Sequence, residues 1–157
     1  MRRDRHRDLT LDAVRGRSIM RCSWVADAVF AVTTVPFVLG VDALEGVSIA
    51  VSLLCFAASL VVWVWAFAVA FSRSAEGDDI AVASLFVTMG GAPPEVRWQL
   101  FGALGACVVI VAGTAAEQPF GVLVPMLPLG LVGLWAAKYG AFPPRRGSAG
   151  PRVGGHG

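Results

Sequence analysis

Charge is scarce in this chain: 15% of its 157 residues are charged, against 56% that are hydrophobic, and the mean hydropathy is +0.68. A water-soluble domain of this length has too little interior to hide so much apolar side chain, so an ordinary soluble globule is excluded. Histidine is nearly missing, with only His6 and His156, both in the tails. No nucleophile motif or phosphate-cradling loop accompanies them, so the chain is not expected to be an enzyme or to carry a cofactor. Cysteine occurs three times, as Cys22, Cys55 and Cys107. An odd number speaks against a disulfide framework, and the absence of C-x-x-C removes dithiol redox chemistry and the commonest zinc sites. Cys55 and Cys107 read instead as small apolar packing residues.

What is present is long apolar runs. A bilayer core about 30 Å thick needs roughly 20 apolar residues in a helix, and four windows meet that need: residues 22–41, 47–71, 98–116 and 120–137. The second contains no charged residue. Backbone donors and acceptors find no water in lipid, so the windows should be helices, and none shows the alternation of a barrel strand. The expected fold is an all-α membrane protein with four transmembrane helices.

Arginine sets the expected orientation, because basic residues are retained on the cytoplasmic side. Seven arginines from Arg2 to Arg21 precede the first span, Arg73 and Arg97 lie between the second and third, and Lys138, Arg145, Arg146 and Arg152 follow the fourth. Four crossings put all 13 basic residues on one face, and the turns on the other carry only Asp42, Glu45 and Glu117. Both termini should therefore be cytoplasmic in the cell membrane. The first window, at about 20 residues, exceeds a signal-peptide core and reads as a permanent span. Trp24, Trp98, Trp135 and Tyr139 fall near the inferred cytoplasmic boundary, where they can face headgroups.

Residues 1–21 form a basic cytoplasmic tail whose arginines alternate with Asp4, Asp8 and Asp12. Interleaved aspartates and missing aromatics argue against nucleic acid as a partner and for attraction to anionic lipid. Residues 22–140 form the transmembrane domain, with a loop at 72–97, and residues 141–157 should be a disordered tail. Turns of a few residues between spans one and two and between spans three and four imply two antiparallel hairpins. Gly102, Gly105, Ala106 and Gly113 in span three, with Ala57 and Ala58 in span two, are expected to let helices approach within the protein.

The loop contains a candidate short amphipathic helix at residues 80–89. Asp78 or Asp79 can cap its start, and Gly90, Pro93 and Pro94 stop it. Val82, Leu85, Phe86 and Met89 share one face at i, i+3, i+4 and i+7. This stripe either rests on the protein's own helices or headgroups, or docks a membrane or cytoplasmic protein partner. Glu76, Asp78 and Asp79 show no cation-loop pattern, so no metal site is expected.

At this loop and at the end of span four the chain resembles a group of small four-span membrane proteins without assigned function from high-GC Gram-positive bacteria. The resemblance rests on Gly77-Asp78-Asp79-Ile80, Leu85-Phe86, Gly91-Ala92-Pro93, Lys138-Tyr139-Gly140 and Phe142-Pro143-Pro144. It implies a fold and a location and assigns no functional residue.

Asp27 is the one charge inside a predicted span, and intramembrane carboxylates mark proton or cation pathways. It lies about 7 to 9 Å beyond Cys22, nearer the boundary than the midplane. There it can reach headgroup water or pair with Arg21 or Arg97, and a structural role is preferred. Pro36, Pro125 and Pro128 should kink their helices, with Thr33 and Thr34 available to rebond carbonyls freed by Pro36. Two functions follow. The first is a small membrane subunit or scaffold presenting the 80–89 helix to a partner. The second is a small proton-coupled transporter or channel, compatible with a homo-oligomer, that uses Asp27.

Overall fold

The computed structural model describes residues 16–78, 80 and 84–142. Expectations for the two tails, for Asp79 and for Val82 fall outside these residues. Four α-helices carry the fold: α1 (Arg17–Val38), α2 (Glu45–Ala75), α3 (Pro94–Thr114) and α4 (Met126–Tyr139). No strand occurs among the described residues. Four segments are long and apolar enough to cross a membrane, Arg17–Val38, Asp42–Ala75, Pro94–Thr114 and Pro119–Tyr139, as in a multi-pass membrane protein.

Each helix boundary differs from its apolar window for a local reason. α1 begins at Arg17, so the helix takes in residues 17–21 of the basic segment. Arginine is a good helix former, and Arg17 and Arg21 stay on the exposed side. The helix ends short of Val41, where Gly40 takes φ 101°. The Gly40 N–H donates to Phe37 O at 2.9 Å and the Val41 N–H to Pro36 O at 3.0 Å, a Schellman cap. α2 ends the same way at Gly77, φ 107°, with Gly77 N–H donating to Ser74 O at 3.3 Å and Asp78 N–H to Arg73 O at 3.2 Å. Its 31 residues make it about 46 Å long, more than a bilayer core requires, so it must tilt or project beyond the apolar layer.

The fourth crossing is not one helix. A 3-10 turn over Pro119–Leu123 precedes α4, and the prolines explain the junction, since neither Pro125 nor Pro128 can donate from its backbone. The carbonyl of Val124, which would otherwise await residue 128, accepts instead from Leu127 N–H at 3.0 Å. Pro36, by contrast, sits near the end of α1 and the helix continues through it. Thr33 and Thr34 do not take the Val32 carbonyl that Pro36 frees. The Thr33 hydroxyl donates to Val29 O and Phe30 O, and Thr34 pairs with Ser48.

α4 is the central element, with every residue from Gly130 to Ala137 buried. Its most extensive neighbour is α2, while α1 packs chiefly on α3 and α2. α1 turns Met20, Ser23, Asp27, Phe30 and Thr34 inward, and α3 turns Val96, Leu100, Ala103, Cys107, Val111 and Thr114. Both stripes advance by three- and four-residue steps, strictly alternating in α1 as in a coiled-coil seam. α2 offers Ser48, Ser52, Ser59, Ala66 and Ala70, small residues that admit close approach.

Of the small residues expected to make these contacts, Gly102 and Ala106 are half-buried, and a Cβ on Gly102 would lie 3.7 Å from Trp24 Cζ2, but the other four face outward. Gly105, Gly113, Ala57 and Ala58 are exposed, and a Cβ on Gly105 or Gly113 would meet nothing within 4 Å. Close approach occurs on α4. A Cβ on Gly130 would lie 2.9 Å from Trp63 Cδ1, and one on Gly133 would lie 2.6 Å from Phe86 Cε1. Trp135, placed near the boundary by its position in sequence, is 1% exposed and belongs to the core.

Candidate functional site

The inward stripe of α1 collects the unusual chemistry. Asp27 is the eleventh of 22 residues in α1, about 15 Å from Arg17 along the axis. It is at mid-helix because α1 starts a turn and more before the apolar window, while its distance beyond Cys22 is as the sequence sets it. Asp27 is 3% exposed, and neither of its carboxylate oxygens has a hydrogen-bond partner. The expected pairing with Arg21 or Arg97 is not made. Both arginines are exposed, on faces turned away from the bundle interior.

One turn earlier, the hydroxyl of Ser23 is fully buried and equally unpartnered. Across from Asp27 stands the Cys107 thiol of α3, with Cys55 of α2 also near. A thiol is a weak donor that leaves a carboxylate short of partners. Met20, 7% exposed, and Phe30, fully buried, bound this polar pair along α1.

Beyond Phe30 the buried polar groups are all satisfied. Thr34 Oγ1 and Ser48 Oγ are 2.8 Å apart. Gln118, at the foot of the fourth crossing and 1% exposed, donates from Nε2 to Ser48 Oγ at 3.1 Å and to Ser52 Oγ at 2.9 Å. Its Oε1 accepts from Gly121 N–H. This network ties α1, α2 and the 119–123 turn together. Sequence reasoning missed it, although two serines four residues apart in an apolar helix are a signal for interhelical hydrogen bonding.

The ring of Phe30 separates the two polar sets. It packs with Cys107, Val111 and Val124, and its tip reaches the backbone of Gly121, where a Cβ would lie 3.1 Å from Cζ and 3.4 Å from Gln118 Oε1. A side chain at 121 would press on the ring, which would have to give by a few tenths of an ångström.

The candidate docking residues lie elsewhere. Over its described part the 80–89 segment is a π-helical turn, Ser84–Thr88, followed by a 3-10 turn, Met89–Gly91. Leu85 is 2% exposed and Met89 is fully buried, both in a cluster with Val96, Leu100, Val132 and Trp135. Phe86 lies over Gly133 and stacks on Trp63 at a centroid distance of 5.0 Å. Val87 is the apolar residue of the turn that stays outside, 66% exposed. Asp78 is engaged by the last turn of α2. It accepts from Arg73 Nε at 2.9 Å and lies 2.8 Å from Nη2. Arg73 Nη1 also donates to Ala137 O and Gly140 O, each at 2.9 Å, and its guanidinium lies over the Phe142 ring.

Among the described residues no three His, Cys, Asp or Glu side chains are arranged to hold a metal ion. Compared with known protein families, with curated proteins and with solved structures, the chain matches none.

Proposed function

We propose that this protein is a small proton-coupled transporter or channel of the cell membrane, built as two antiparallel hairpins with both termini and the 72–97 loop on the cytoplasmic side, and that Asp27 is its protonatable group. The observation that carries the reading is a mid-helix carboxyl, 3% exposed, whose oxygens meet no N–H or O–H donor and have only the weakly donating Cys107 thiol beside them. Burying an unpaired carboxylate in an apolar interior is costly, and a helix bundle needing only to pack would use an apolar residue there. A proton is the partner such a site can accept. Metal cations need more oxygen ligands than two carboxylate oxygens and one hydroxyl, and the neighbouring thiols are soft.

A scaffold that docks a partner through residues 80–89 draws less support, since Leu85 and Met89 are buried and Phe86 is seated on α4.

The test uses the full chain in sealed vesicles with a trapped pH-sensitive dye and an imposed potassium diffusion potential. The wild type carries a proton flux above that of protein-free vesicles, and Asp27→Asn falls to that background. Equal flux through the two proteins, or none through either, rejects the proposal.

A further inference from the structure

The buried polar side chains of α1 fall into two sets on either side of Phe30; elsewhere in the bundle Ser59 donates to Phe56 O and Trp135 Nε1 lacks a partner. Below Phe30, the Ser23 hydroxyl and both oxygens of Asp27 lack partners. Above it, Thr34, Ser48, Ser52 and Gln118 are joined in one hydrogen-bonded network. On α1 the axial step from Asp27 to Phe30 is about 4.5 Å and from Phe30 to Thr34 about 6 Å. A rotation of one ring thus stands between an unsatisfied acid and a set of hydroxyl and amide groups able to pass a proton or hold water. The titratable groups facing Asp27 from the other elements are Cys107 of α3 and Cys55 of α2.

We infer that Phe30 is the gate of the proton route, closed in this structure by seating its ring on Gly121, and that its opening connects Asp27 to the Thr34, Ser48, Ser52 and Gln118 network. The inference rests on the proton-coupled reading above. The seat fits a glycine at 121: a Cβ there would crowd the ring tip, 3.1 Å from Cζ, and a larger side chain would push on it. It also explains why a fully buried phenylalanine crosses from α1 to the 119–123 turn at a level flanked on both sides by polar side chains. On the opposite side of Asp27 the boundary is Met20, an unbranched side chain with three rotatable bonds that yields more easily than a seated ring. The barrier at Phe30 is then the one that holds the two ends of the route apart.

The experiment measures proton flux in the same vesicles for Phe30→Ala, for Gly121→Val, which displaces the ring without removing it, and for the double variant Phe30→Ala with Asp27→Asn. Each protein is first shown to be monodisperse and helical in detergent, and Phe30→Leu takes the place of Phe30→Ala if that variant fails this check. The gate predicts at least a tenfold rise in flux for the Phe30 variant, a rise for Gly121→Val, and return to background in the double variant. Flux in the folded Phe30 variant no greater than in the wild type overturns the gate, while the difference between wild type and Asp27→Asn still stands for the reading beneath it. A flux that survives Asp27→Asn in the double variant also overturns it, because the opened path would bypass the acid.

Discussion

Arg73 shows how much one side chain can fasten at the end of a bundle. Its guanidinium binds Asp78, two carbonyls at the C-terminus of α4 and the face of Phe142. Cations favour helix C-termini, and hydrogen bonds to charged groups contribute about 1.5–3 kcal/mol each when partly buried. Arg73→Ala should lower stability in detergent by about 2–3 kcal/mol, read from thermal unfolding. Arg73→Lys should recover less than half, since an ammonium cannot span the fork. The glycines of α4 give a second prediction. Gly133→Ala drives a Cβ to 2.6 Å from a ring already stacked on Trp63 and should cost about 1–3 kcal/mol, the usual range for overpacking. Gly105→Ala in α3 meets open space and should be neutral or stabilising by up to about 1 kcal/mol through helix propensity. Melting temperatures that fall equally for the two would contradict the packing described. Asp27 was legible at this scale as the lone charge in an apolar window. Its surroundings were not, because the side chains that α2 and α3 bring opposite it depend on how the helices pack.

Among the elements, the fourth crossing depends most on its partners. Its helix has only 14 residues, about 21 Å, and completes a bilayer's thickness only with the 119–123 turn in front of it. Gln118 anchors that turn to Ser48 and Ser52 of α2, and Trp63 Nε1 donates to Met126 O at 3.0 Å just after the junction. Gln118→Leu removes the anchor and leaves serine hydroxyls with fewer partners. Interhelical hydrogen bonds in membranes average about 0.6 kcal/mol and reach about 1.7, so the loss should be about 1–2 kcal/mol, measured by unfolding in mixed micelles. Helix existence was readable from apolar length, and the break before α4 from Pro125 and Pro128. The ends were not, because they are set by Schellman turns at Gly40 and Gly77 and by Arg17 and Arg21 inside α1. The 80–89 stripe was readable as apolar on one face. Its destination depended on Gly133 and Trp63, residues far away in sequence whose role appears only when α2 and α4 meet.

The whole molecule is an all-helical bundle in which apolar surface points outward and polar side chains point inward, the inverse of a soluble domain. Val32, Leu54, Val61, Val64, Phe71 and Val109 are each at least 66% exposed, while Ser23, Asp27, Thr34, Ser48, Ser52 and Gln118 are each at most 3% exposed. Lipid is the solvent that makes this arrangement favourable. A compositional count signalled that solvent at once. Which polar residues meet inside it could not be read from periodicity, since serine and threonine suit either face of a helix in lipid. The account stands on four crossings that leave every basic residue on one side. Paired reporters fused after Gly157 and inserted at Glu45 test this most directly in cells: the first should be active only inside the cytoplasm and the second only outside it. Activity of both on the same side would contradict the four-span arrangement and, with it, the placement of Asp27 within the membrane.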